Sequence, residues 1–300
     1  MVSPDFLKKG DKIAIVAPAR KVSELEMMPA IKKLSDWGLQ VILGKNLFGV
    51  NNQYSGTDEE RIADFQEMLD DKSIKAIISA RGGYGSIRLI EKLRFDHFFE
   101  NPKWIIGYSD ITIFHSFLHV NNTQSIHATM PINFPVDGSD NESTESLKNT
   151  LFGKKITYNL PVSEWNRTGK SEGIIVGGNL SILYSLGGTA LEIDTRNKIL
   201  FIEDLDEYFY HIDRMMMTLK LRGLLKNLKG LIIGGLSDMR DNTIPFGKTA
   251  EQIVLDAVSE YVFPVCFNFP AGHINPNISI LMGQSISLSV EEKTVKISSC

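Results

Sequence analysis

Trp104-Ile105-Ile106-Gly107-Tyr108-Ser109-Asp110-Ile111-Thr112 is an apolar run, a glycine, a serine–aspartate pair and the start of a second apolar stretch. The first three residues read as a buried strand. Ile113-Phe114-His115-Ser116-Phe117-Leu118-His119-Val120 reads as a helix. Ser109 then stands where a strand ends and a helix begins. Unpaired backbone N–H groups and the positive end of the helix dipole favour negative charge at that place. This is where a serine nucleophile is carried, with its hydroxyl exposed on a sharp turn. Serine and aspartate are also ordinary helix N-caps, so these residues alone leave capping as the alternative.

The same alternation surrounds the turn. Lys12–Ala17, Leu39–Leu43 and Ile74–Ala80 read as short strands, and Glu24–Trp37 carries Met28, Ile31 and Leu34 at helical spacing. Thr57 and Glu60 form a capping-box signature for a helix reaching about Leu69. Arg81-Gly82-Gly83-Tyr84-Gly85 follows the third strand as a glycine turn, with a helix expected over Ser86–Leu93. Strand–helix alternation of this kind predicts a parallel sheet flanked by helices, with ligands at loops after the strands' carboxyl ends. Residues 136–146 are polar and lack apolar periodicity. They suggest a boundary: an N-terminal α/β domain over 1–137, a linker over 138–165 and a C-terminal domain over 166–300. In the last part, Lys198–Ile202, Gly230–Gly234, Val265–Phe269, Ser279–Met282, Ser285–Val290 and Thr294–Ser299 read as strands. A helix is expected over about Ile212–Leu225. The expected class is α/β, with a second, β-rich, barrel-like α+β domain.

Bulk properties narrow the function. The chain has 300 residues, is 43% hydrophobic and carries a formal net charge of −4, which gives no footprint for nucleic acid or an anionic membrane. Its two cysteines, Cys266 and Cys300, are not a disulfide framework. No stretch approaches the roughly 20 apolar residues of a spanning helix. A soluble protein of the cytoplasm is the expectation.

A hydroxyl nucleophile needs a base, a group that orients the base, and donors for the oxyanion. Among the six histidines, His273 is the strongest candidate base, in the loop Phe269-Pro270-Ala271-Gly272-His273-Ile274-Asn275-Pro276-Asn277 between two β-runs. His127 is of interest because a strand end at its position would share the serine's end of the sheet. His115 and His119 lie four apart, but Ser116 stands where a zinc helix has glutamate, so no metal is expected. Glu203 and Asp204 close a buried strand and face opposite ways, so only one can enter a given site. Glu203 is the candidate, against the alternative of a solvated acidic cluster. Backbone donors are available at Gly82, Gly83 and the Asp110 amide. No Gly-Lys-Ser/Thr follows the glycines, and their spacing is not the dinucleotide fingerprint. Neither a phosphate loop nor a cofactor is expected. Met215-Met216-Met217 reads as a core-facing helix.

Several segments together resemble the LD-carboxypeptidases and their microcin C immunity relatives, a serine peptidase family. They are Gly10–Ala19, Ala80–Gly85, Ile106–Thr112, Val176–Ser181, Leu200–Asp204, Tyr210–Met215 and Pro270–His273, in the family's order along nearly the whole chain. The resemblance implies a triad at Ser109, Glu203 and His273, and commonly a homodimer. It implies hydrolysis of murein tetrapeptide between diaminopimelate and the terminal D-alanine, in cell-wall recycling. Two other functions stay open: cleavage of a microcin C-type aminoacyl-nucleotide amide, and non-catalytic binding. Expected partners are therefore a small peptide or peptide-nucleotide. Arg81, Tyr84, His127 and Trp165 are candidates for holding it, Arg81 through a carboxylate and Trp165 by stacking on a base. The chain departs from the family at His127-Ala128-Thr129-Met130, where His-Gly-Pro-Met is frequent.

Overall fold

The computed structural model describes residues 1–155 and 157–300. The first half runs β1 (Lys12–Val16), α1 (Glu24–Asp36), β2 (Gln40–Leu43), α2 (Asp58–Asp70), β3 (Ile74–Ser79), α3 (Asp96–Glu100), β4 (Trp104–Gly107), α4 (Thr112–Val120), β5 (Ser125–His127) and α5 (Glu142–Leu151). The second half runs β6 (Thr157–Leu160), β7 (Gly169–Asn179), α6 (Leu180–Ser185), β8 (Lys198–Leu205), α7 (Phe209–Leu221), β9 (Gly230–Ser237), α8 (Ala250–Ala257) and β10 (Val265–Cys266). It ends with β11 (Ile280–Met282), β12 (Ser285–Val290) and β13 (Val295–Ser299). Two compact units result, one of residues 1–154 and 278–281, the other of 155–277 and 282–300.

The first unit holds a six-stranded sheet in the order β11-β5-β4-β3-β1-β2. β1 pairs in parallel with β2 and β3, β3 with β4, and β4 with β5. Strands covered on both faces need apolar residues at every position. β4 is buried throughout, and Ile13, Ile15, Ile78, Trp104 and Ile106 join the core beneath α1. Each such isoleucine contributes about 2 kcal/mol of transfer free energy. The capping boxes Ser23/Glu26 and Thr57/Glu60 start α1 and α2. Phe65 of α2 stacks on Phe114 of α4 with centroids 4.5 Å apart.

The second unit holds a seven-stranded mixed sheet ordered β10-β9-β8-β7-β12-β13-β6. Its β7-β8-β9-β10 half is parallel and its β7-β12-β13-β6 half antiparallel. Met215, Met216 and Leu219 of α7 are buried in this unit's core, whereas Met217 is exposed on the other side of the helix.

Three local expectations differ from the structure. The helix expected over Ser86–Leu93 is a 3₁₀ turn, Ser86–Arg88, followed by further turns. Leu89 bonds back to Ser86 and Lys92 to Leu89, and these tight turns bury Leu89, Ile90 and Leu93 without a regular helix. The segment read as linker, 138–165, carries the ten-residue helix α5, and its residue 156 lies outside the described residues. Asn141 caps α5, with Thr144 where a capping box usually has Glu or Gln. Thr144, Leu147 and Leu151 turn one buried face inward. Finally, β8 runs past the expected end at Ile202 to Leu205 and carries Glu203 and Asp204 near its carboxyl end.

Candidate active site

Ser109 follows β4 after one residue, Tyr108, and opens a 3₁₀ turn, Ser109–Ile111, that leads into α4. Its φ is +64°, the left-handed region that a serine seldom adopts. Such an outlier costs on the order of 1–3 kcal/mol and persists only where the surroundings enforce it. They do so from two sides. A Cβ on Gly82 would stand 2.9 Å from Ser109 Cβ and 3.2 Å from its Oγ, so only glycine lets the turn after β3 come this close. Asp110 is buried, and its Oδ2 accepts from the Ser86 amide at 2.8 Å, tying the glycine turn to the serine turn. Burial pushes the Asp110 carboxyl above its usual range, against the opposing pull of the Ser86 hydrogen bonds. Its other oxygen, Oδ1, has no hydrogen-bond partner among the described residues.

Two histidines lie buried around this turn. His115 is buried, with Nδ1 2.8 Å from Ser125 Oγ and Nε2 2.9 Å from the Gly107 carbonyl. Burial drives its pKa down to about 4. His127 ends β5 and is wholly buried, its ring 5.9 Å from that of Tyr108. Tyr84 is exposed and its ring lies 6.3 Å from Tyr54. No group of three or more metal-ligating side chains occurs among the described residues.

In the second unit, β8 delivers Glu203 fully buried, and Glu203 Oε2 lies 2.7 Å from His273 Nδ1. The same oxygen accepts the His273 amide at 3.1 Å. Because Oε2 already accepts the His273 amide, the tautomer that fits the pair is the one in which Nδ1–H donates to the same oxygen. The loop is made for this approach. Gly272 has φ +106°, and a Cβ there would fall 2.5 Å from Glu203 Oε2. Asn277 Oδ1 accepts from the Gly272 amide at 2.9 Å, and Ser237 Oγ donates to the His273 carbonyl at 2.8 Å. Burial acts to lower the His273 pKa. The hydrogen bond and charge of Glu203, with the charge of Asp204, outweigh it and raise the value. Asp204 faces the other way, accepting from Asn179 Nδ2 at 3.0 Å and the Ser181 amide at 2.8 Å. Burial and then the Glu203 charge push its pKa up to about 7.

The sequence candidates thus fall into two groups, each assembled inside its own unit: Gly82, Ser109 and Asp110 in the first, Glu203 and His273 in the second. Trp165 is half-buried and packs against the second core. Sequence reasoning missed the Asp110 carboxylate and the left-handed serine. The Gly-Tyr-Ser-Asp run carried no signal for either beyond its glycine.

Residues 13–128 match the LD-carboxypeptidase N-terminal domain, and residues 172–288 match the LD-carboxypeptidase C-terminal domain. The chain belongs to the LD-carboxypeptidase family. This LD-carboxypeptidase family member is 35% identical to the probable murein peptide carboxypeptidase of Bacillus subtilis, over 98% of its own length and 93% of that protein's. It is 27% identical to the microcin C7 self-immunity protein of Escherichia coli, over 97% of this chain and 94% of that one. Its fold matches the crystal structure of muramoyltetrapeptide carboxypeptidase from Oxalobacter formigenes with a TM-score of 0.87 and 26% identity, covering 96% and 98% of the two chains. No helix among the described residues is long and apolar enough to cross a membrane.

Proposed function

We propose that the protein is a serine carboxypeptidase that cuts the L,D-amide bond of murein tetrapeptide and releases the terminal D-alanine in cell-wall recycling. The observation that carries the chemistry is the buried Glu203 bonded at 2.7 Å to His273 Nδ1, which leaves Nε2 as a base. Ser109 Oγ attacks the amide carbon while His273 Nε2 takes the hydroxyl proton. The amides of Asp110 and of Gly82 or Gly83 receive the oxyanion, each donor being worth about 3 kcal/mol. As the C–N bond breaks, His273 returns the proton to the leaving amine, and water then hydrolyses the acyl-serine by the same route. Glu203 holds the tautomer and stabilises the imidazolium. The expected setting is the cytoplasm, in a homodimer, which cell fractionation and light scattering would test.

Ser109→Ala is expected to abolish tetrapeptide turnover with the melting temperature preserved. Full hydrolysis by that variant would falsify the assignment. The match to the microcin C7 self-immunity protein supports a second substrate, an aminoacyl-nucleotide amide. Turnover of murein tetrapeptide against an aminoacyl sulfamoyl-adenosine separates the two. Labelling of Ser109 by a fluorophosphonate separates both from non-catalytic binding.

A further inference from the structure

Arg61 stands near the start of α2, and its side chain is buried. Its planar guanidinium serves several places at once, as five donors in a fixed fork allow and an ammonium does not. Nη1 donates to the Pro18 carbonyl in the loop after β1, Nε to the Thr57 carbonyl at 3.3 Å, and Nη2 to the Asp58 carboxylate. Nη1 also lies against the turn after β3, since a Cβ on Gly85 would fall 2.5 Å from it and 2.9 Å from the Pro18 oxygen. The Tyr54 ring covers the guanidinium at 4.7 Å. Through Asp58 the contacts return to the same turn, for Arg88 Nε donates to the two Asp58 oxygens at 3.1 and 3.0 Å. Two residues before Arg88, the Ser86 amide holds Asp110.

Pro18 matters because of the residues that follow it. The Arg20 amide donates to the Gly82 carbonyl at 3.4 Å. In a planar trans peptide the N–H points opposite to the C=O, so this bond sets the direction of the Gly83 amide. Glycines on both sides let that peptide rotate easily, and its direction has to be held from outside. Stability alone does not call for the buried guanidinium. Apolar side chains of similar volume often replace a buried ion pair at no loss.

We propose that Arg61 is a positioning residue for the reaction at Ser109. Through Pro18 and Arg20 it aims the Gly82–Gly83 peptide at the oxyanion, and through Asp58 and Arg88 it holds the turn that carries this peptide. The assignment rests on the proposed nucleophile chemistry and adds to it a buried residue that acts only through others.

The test reads two rates, cleavage of murein tetrapeptide and labelling of Ser109 by a fluorophosphonate, whose transition state also gathers charge on an oxyanion. Arg61→Lys keeps the charge and loses the fork. Once its melting curve shows it folded, it is expected to label about 10²-fold more slowly and to lose a similar factor in kcat, the scale of a misplacement near 1 Å. KM and the pH midpoint of labelling should stay at their wild-type values, because neither a substrate contact nor the imidazole has changed. Arg88→Gln alters an exposed side chain and is expected to give a smaller loss of the same kind. Wild-type rates in folded Arg61→Lys, a loss carried by KM, or a moved pH midpoint would each overturn the assignment. If Arg61→Lys does not fold, Arg88→Gln decides, and wild-type rates there overturn it as well. A wild type that is labelled yet leaves the tetrapeptide uncut refutes the carboxypeptidase reading alone, and Arg61 is then judged by labelling. A wild type that is neither labelled nor active removes both.

Discussion

The Ser109 turn and the Glu203–His273 pair are built from different materials. The first is backbone: a left-handed serine, a glycine without a Cβ to collide with it, and amides at a helix start. The second is side chain: a fully buried carboxylate bonded to an imidazole whose titration it raises. A site of the first kind breaks chiefly by steric displacement. A site of the second kind breaks by loss of charge and shifts its titration.

The largest effect is expected for Glu203→Gln, which removes the charge and keeps the shape. Turnover should fall by about 10³–10⁴-fold, the scale for losing the orienting carboxylate of a triad. His273 must be neutral to act as a base, so wild-type kcat/KM should rise with pH through a midpoint above about 6.5, the ordinary imidazole value. In Glu203→Gln burial is opposed only by the charge of Asp204, and the midpoint should move down. An unmoved midpoint would put another residue in the role of base.

Gly82→Ala comes next. Its new methyl group must displace the serine or the turn, and a misplacement near 1 Å costs roughly 10²-fold in rate. Here the pH midpoint should stay where it is in the wild type. A shift would show that the turn and the imidazole titrate together.

A smaller loss is expected for Asp110→Ala, which leaves the buried Ser86 amide without its acceptor. Urea unfolding should report about 1–3 kcal/mol of lost stability. The weakest effect is the pH dependence of stability itself. Because the folded His273 pKa is raised, its pair with Glu203 stabilises fully below the unfolded value near 6.5, and that gain is lost as pH climbs through the folded value. Melting curves of wild type and Glu203→Gln should therefore converge toward alkaline pH.

Much of this was legible in the chain because it is local. The strands announce themselves as short β-branched runs, and Thr57 with Glu60 marks the start of α2 to the residue. Glu203 and Asp204 part to opposite faces as strand alternation requires, one to His273 and the other to Asn179. What escaped depends on contacts between distant residues. Asp110 and Ser86 are 24 positions apart, and nothing in either segment announces their bond. Arg20 and Arg81 line one cavity only because β1 and β3 are neighbours. The α5 helix escaped for a different reason, since threonine stands at its third position and polar residues fill its first turn. His127 is buried at the end of β5, paired with Gly107 at the serine's end of the sheet.

The return of residues 278–281 to the first unit fixes an order of events during synthesis. When Lys154 leaves the ribosome, every other strand of that sheet has been made, but the side of β5 that will pair with β11 is still a bare edge. At ribosomal speed β11 emerges roughly ten seconds later. For that interval the nascent chain presents an open strand edge, the kind of surface that pairs with stray chains. Shielding this edge while the second unit is being made is thus a task for the cell as much as for the sequence.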